Sequence, residues 1–165
     1  MTNNDVVILM NSGLLAISSR ALPLNYAYEV TKVKGAIDKA FKAWDEKFKK
    51  LDAEAGIEDS KAFNKRYNEF EEKRKAGTLN TLEKDALEEM NATLERLNGL
   101  RQKLADEPVK IKSNPLPYEI WMELKEANKD IKSGTAECLE LVESKLEGIL
   151  WKAPEEEEVA HAEQK

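Results

Sequence analysis

The residues best suited to holding a ligand lie in one stretch, Ser18-Ser-Arg-Ala-Leu-Pro-Leu-Asn-Tyr-Ala-Tyr28, and in the turns that follow it. Arg20, Tyr26, Tyr28, Lys32 and Lys34 gather cations and aromatic rings near the start of a helix. Positive charge, ring faces and the positive end of a helix dipole together suit an anionic planar ligand such as a nucleotide. The same residues also have an architectural account, in which Tyr26 packs into the core and Arg20 caps or pairs locally. No spacing among them is diagnostic of a ligand, so the architectural account leads. A second group, Lys65, Arg66, Lys73 and Arg74, falls where Ser60–Ala76 carries six basic residues against three acidic ones. That segment is a candidate surface for an acidic protein partner, with a solvated helix face as the alternative.

Other chemistries lack their residues. The seven glycines stand singly, so no glycine-rich phosphate loop is present. The one histidine, His161, sits beside a run of glutamates near the C-terminus, which argues against a histidine-based triad or zinc site. A single cysteine, Cys138, excludes an internal disulfide and any thiolate-rich metal site. It falls in the first turn of a helix, where a thiolate is favoured, but no base is near in sequence and a buried small side chain is the better account. Acidic pairs such as Glu71-Glu72 and Glu88-Glu89 read as solvated helix surface. The reading is of a protein that is not an enzyme and needs no cofactor or metal.

The elements that must position these residues are helical. Tyr26, Val30, Val33, Ile37, Phe41, Trp44, Phe48, Leu51 and Ala55 recur at steps of three or four, which predicts one helix over Asn25–Ala55 closed by Gly56. From Phe41 onward the steps follow coiled-coil register, with intramolecular packing favoured over an oligomer seam because large aromatics fit a two-stranded seam poorly. Asp59 or Ser60 starts a helix that Gly77 stops, with Phe63, Tyr67 and Phe70 on one stripe. Asn80 with Glu83 reads as a capping box that opens a further helix, whose stripe of Leu87, Met90, Leu94, Leu97, Arg101 and Leu104 is expected to pack antiparallel on the first long helix.

The β-branched run Val6–Met10 and the alternating Val109-Lys-Ile-Lys112 predict two short strands that pair with each other. A short helix capped by Asn11 or Ser12 is expected through Arg20 and is closed by Pro23. Pro117 opens a helix through Trp121 and Leu124, Ser133-Gly134 breaks or kinks it, and Thr135 caps the last one. The expected fold is therefore mainly α: a helical bundle with a long antiparallel helical hairpin and a small two-stranded β-sheet, in one domain over residues 1–153. Residues 154–165 are expected to form an acidic, disordered tail.

Charge limits the partners. Of the formal net charge of −6, residues 154–165 hold −4, so the body is near neutral and gives no electrostatic reason to bind nucleic acid. Val6–Met10 is too short to span a bilayer and lacks the flank of a signal peptide, which makes a cytosolic protein the expectation.

Taken together, the N-terminal apolar run, Ala21-Leu-Pro-Leu-Asn-Tyr-Ala-Tyr-Glu-Val-Thr-Lys32, the charged helix Lys34–Lys50, Phe63-Asn-Lys-Arg-Tyr-Asn-Glu-Phe70, Val109-Lys-Ile111 and Leu116-Pro-Tyr-Glu-Ile-Trp-Met-Glu-Leu124 resemble small bacteriophage proteins of uncharacterised function. The resemblance implies a viral origin and a site of action in the host cytoplasm, and it assigns no catalytic residues. The function expected first is binding to a protein partner, in virion assembly or interference with a host factor, as a homo-oligomer. The alternative is a counter-defence sponge that sequesters a nucleotide immune signal, held by Arg20, Tyr26, Lys32 and Lys34.

Overall fold

A computed structural model describes residues 1–129 and 135–154, the side chains of 135–137 excepted. The described residues form seven α-helices and one short 3-10 turn: α1 Asn3–Asn11, the turn Leu14–Ala16, α2 Leu24–Phe48, α3 Leu51–Glu54, α4 Ser60–Lys75, α5 Thr81–Asp106, α6 Tyr118–Asn128 and α7 Thr135–Lys145. They fall into two compact units, one built from Met1–Ala43 with the chain from Pro108 onward, the other from Trp44–Glu107.

The first unit buries Val6 and Leu9 of α1, Val30, Val33 and Ile37 of α2, Trp121 and Leu124 of α6, and Val142 and Leu146, all without exposed surface. Each such side chain contributes about 1.5–3 kcal/mol by leaving water. The N-terminal apolar run is a helix and not the predicted strand. Thr2 accepts from the Asp5 backbone N–H while the Asp5 carboxylate accepts from Thr2, a capping box that fixes the first turn. The helix then points Val6 and Leu9, three residues apart, into the core.

The predicted two-stranded sheet is likewise absent among the described residues. What remains of the pairing is an isolated antiparallel bridge between Thr2 and Pro108, with the Val109 N–H donating to the Met1 carbonyl at 3.0 Å. Val109 and Ile111 still pack against the core while Lys110 and Lys112 are exposed, so the alternation is real but serves one bridge.

The short helix expected through Arg20 is reduced to the 3-10 turn Leu14–Ala16, and the irregular backbone up to Pro23 needs partners for its polar groups. Asn128, fully buried, supplies them for Ser18. Its Oδ1 accepts from the Ser18 N–H at 2.7 Å, and its Nδ2 donates to the carbonyls of Ser18 at 2.8 Å and Leu124 at 2.7 Å. Trp121 stacks on Trp151 with centroids 5.9 Å apart, and the Leu116 N–H donates to the Leu150 carbonyl at 2.7 Å, which brings the end of the described chain back over α6. The Ser133-Gly134 break lies outside the described residues, as does the acidic run from Glu155 onward.

The second unit corrects the reading of a single helix over Asn25–Ala55. Helix α2 stops at Phe48, and a turn at Lys49-Lys50 precedes the one-turn α3. Leu51 and Ala55 nonetheless stay buried with Leu97 and Leu104, and Trp44 packs against the same cluster. The periodicity thus continues because the residues face one core, although the helix does not. The expected packing of α5 on the Asn25–Ala55 segment is met at its far end, through Trp44, Leu51 and Ala55, and α5 also packs on α4. Phe63, Tyr67 and Phe70 of α4 meet Leu87 and Met90 of α5 in an antiparallel hairpin. Phe41 belongs to the core of the first unit, whereas Phe48 stacks on Trp44 at 4.9 Å with the Arg101 guanidinium over its ring.

Replacing the fully buried Asn128 with alanine strips the half-buried Ser18 N–H and C=O, and the Leu124 carbonyl, of their partner. The expected loss is about 3 kcal/mol, on the scale of ~1–3 kcal/mol for each buried polar group left unsatisfied. Urea denaturation followed by far-UV circular dichroism reads it, and a loss below about 1 kcal/mol would contradict the clamp.

Candidate functional site

The Arg20–Lys34 stretch does not come together as a ligand cradle. The Lys34 ammonium donates to the carbonyls of Leu15 at 2.7 Å and Ile17 at 2.6 Å, which spends it on backbone. Burial pushes its pKa below the usual lysine range, partly opposed by Cys138. Lys32 pairs with Glu29 at 3.1 Å, and the Glu29 carboxylate also accepts from the Asn114 backbone and side-chain amides. The Asn114 backbone N–H first, and then Lys32, hold Glu29 below the ordinary carboxylate range. Tyr26 is half-buried and packs against the core, while Tyr28 and Arg20 are exposed. Cys138 is buried, which raises its thiol pKa against the smaller opposing effects of the Ser12 hydroxyl and Lys34, so it is held as the neutral thiol.

The other predicted group stands on α4, spread over two turns of its exposed surface. Asp59 caps α4, its Oδ1 accepting from the N–H groups of Lys61 at 2.9 Å and Ala62 at 3.0 Å. The helix ends in a Schellman motif: the Thr78 N–H donates to the Lys73 carbonyl at 2.9 Å and the Gly77 N–H to Arg74 at 3.1 Å. Gly77 takes φ +70°, the left-handed conformation this motif requires. Lys73, Arg74 and Lys75 fill the last turn, where the helix dipole favours cations. The predicted capping box is present, with the Asn80 side chain accepting from the Glu83 N–H at 2.9 Å and Glu83 accepting from the Asn80 N–H at 3.1 Å.

Of the four cations, Lys65 is exposed, Arg66 lies 5.2 Å over the Phe70 ring, Lys73 pairs with Glu83, and Arg74 pairs with Glu71 at 2.7 Å. Beside the turn is a cleft of about 560 Å³ lined by Arg74, Gly77, Leu79, Lys84, Leu87, Glu88 and Asn91. Lys84 and Asn91 were not singled out in the sequence. The signal was available, since Lys84, Leu87, Glu88 and Asn91 are spaced to share one face of α5. A smaller cleft of about 360 Å³, which Arg66 and Phe63 help to line, lies on the same unit.

Among the described residues no group of three or more histidine, cysteine, aspartate or glutamate side chains is placed to hold a metal, and no helix is long and apolar enough to cross a membrane. His161 lies outside the described residues. Compared with known proteins, the chain matches no family model, no curated protein and no solved structure.

The Lys73 ammonium first, then the Asn80 N–H, holds Glu83 below the ordinary carboxylate range. A carboxyl whose folded pKa is depressed adds stability above its unfolded pKa and loses it as pH falls through the folded one. The hairpin is therefore expected to weaken below about pH 4.5, the unfolded value. Thermal melts in steps from pH 6 to pH 2 read this, and Glu83→Gln is expected to flatten the acid limb. An unchanged limb in that variant would remove Glu83 from the account.

Proposed function

We propose that this chain is a non-enzymatic bacteriophage protein that works in the host cytoplasm by binding an acidic protein partner through the cations on the exposed surface of α4. The partner belongs either to virion assembly or to a host pathway that the phage disturbs, and the protein acts as an oligomer. One observation carries the reading: Lys65, Arg66, Lys73 and Arg74 stand on one short helix, exposed at the surface. Arg74 and Lys73 are held only by surface ion pairs, with side chains 59% and 48% exposed. Exposed ion pairs contribute about 0–1 kcal/mol, which leaves the cation ends open to a partner's carboxylates, while the Glu71 and Glu83 side chains are 16% and 19% exposed. The resemblance to small phage proteins supports the viral setting.

Charge reversal tests it. Lys65→Glu/Arg66→Glu/Lys73→Glu/Arg74→Glu is expected to remove the partner recovered by crosslinking and affinity purification from phage-infected cells, while circular dichroism reports an intact helical fold. Binding by the unaltered protein should also weaken as salt rises, because rim charges act through a screened field. A partner recovered equally by both proteins would move the interface elsewhere.

The nucleotide-sequestering alternative retains the exposed Arg20 and Tyr28 as its ligand contacts. It expects a nucleotide-sized adduct in native mass spectrometry of protein from infected cells, and loss of that adduct in Arg20→Ala.

A further inference from the structure

The cleft beside the α4–α5 turn has a composition that the cations of α4 alone do not explain. Its apolar part is Leu87, 4% exposed, together with the half-buried Leu79. Over it stand two cations, Arg74 and Lys84, and one acid, Glu88, a net lining charge of +1. Lys84 makes no ion pair among the described residues, and Arg74 offers a guanidinium with several donors while Glu71 engages it from one side. Asn91 is held in place: its Oδ1 accepts from the Tyr67 hydroxyl at 3.0 Å, which leaves its amide N–H groups as the donors to spare. Three donor groups therefore surround an apolar floor, in a volume within the range of ligand pockets.

We infer that this cleft is the seat for one carboxylate side chain of a protein partner together with an adjacent leucine-like side chain. The carboxylate fits Arg74, Lys84 and the Asn91 amide, and the aliphatic group covers Leu79 and Leu87. The net lining charge matches a single carboxylate, whereas the Glu88 carboxylate opposes a doubly charged phosphate. The inference rests on the acidic-partner reading above and adds that the partner is recognised by an acidic residue next to an aliphatic one, and not by charge alone.

Two synthetic peptides of equal charge separate the two ideas. Each has six glutamates and blocked ends; one carries two leucines among them, the other two serines. With full-length protein in fluorescence polarisation, the leucine peptide is expected to bind about tenfold more tightly, the effect of burying part of one aliphatic side chain. Arg74→Glu/Lys84→Glu is expected to erase that preference, whereas Lys65→Glu/Arg66→Glu weakens both peptides alike. Should the double variant fold poorly, Lys84→Ala, which breaks no ion pair among the described residues, is expected to reduce the preference about threefold or more. Equal affinity for the two peptides, or a preference that survives loss of Arg74 and Lys84, overturns the cleft while leaving the acidic-partner reading standing. Binding of neither peptide at millimolar concentration overturns both.

Discussion

The first unit depends on how one irregular stretch of backbone is satisfied. Between Ser12 and Pro23 the chain runs along the edge of the core, and the turn Leu14–Ala16 and the Leu22 N–H to Ser19 carbonyl bond pair only part of its polar groups. Asn128 takes both the N–H and the C=O of Ser18, and Lys34 takes the carbonyls of Leu15 and Ile17. With those groups paired, Leu14 and Ile17 can lie in the core beside Val30, Val33 and Leu124. Buried polar groups left open cost more than pairing them gains, so these two side chains hold the stretch in place. The requirement also decides chemistry: Lys34, one of the cations considered for holding an anion, is committed to the backbone.

Caps and turns were the most legible part of the sequence. The Asn80–Glu83 box, the Asp59 cap and the left-handed Gly56 and Gly77 stand in their predicted roles as helix starts and stops, because each is a local interaction complete within a few residues. Gly56 closes α3, where the sequence put the end of a much longer helix. Nothing in Lys49-Lys50 signals a break, since neither residue is a glycine or proline and the apolar rhythm runs on to Ala55. The N-terminal error has a different cause. Val6–Ile8 are β-branched but for no other reason strand-like, and the deciding signal, Thr2 three residues before Asp5, lies just ahead of the run. A short apolar run is ambiguous between strand and helix until its cap is counted.

Part of the candidate site was legible in the same way. The cations of α4 are visible as composition, and the helix that displays them follows from its cap and its stripe. The cleft was not, because it forms where the end of one helix, a turn and the start of the next converge. Lys84 and Asn91 acquire their significance only from Arg74 and Tyr67, far away in sequence. The Arg20–Lys34 group shows the converse in part: Lys34 is engaged by backbone carbonyls and Lys32 by Glu29, while Arg20 and Tyr28 stay exposed.

The division of the chain bears on the order in which it is made. The second unit is one continuous stretch, Trp44–Glu107, whose main contacts join α5 to α4 and to α3 within that stretch. The first is assembled from two stretches on either side of it, and its core needs Trp121 and Leu124 from beyond the interruption. A ribosome releasing this chain delivers Met1–Ala43 first, yet those residues must wait for the far segment before their apolar faces are covered. Local helix pairs form fast and distant ones slowly. Synthesis therefore favours a sequence of events in which the middle of the polypeptide matures before either end, and the nascent amino-terminal helices are the segment that a chaperone would meet uncovered.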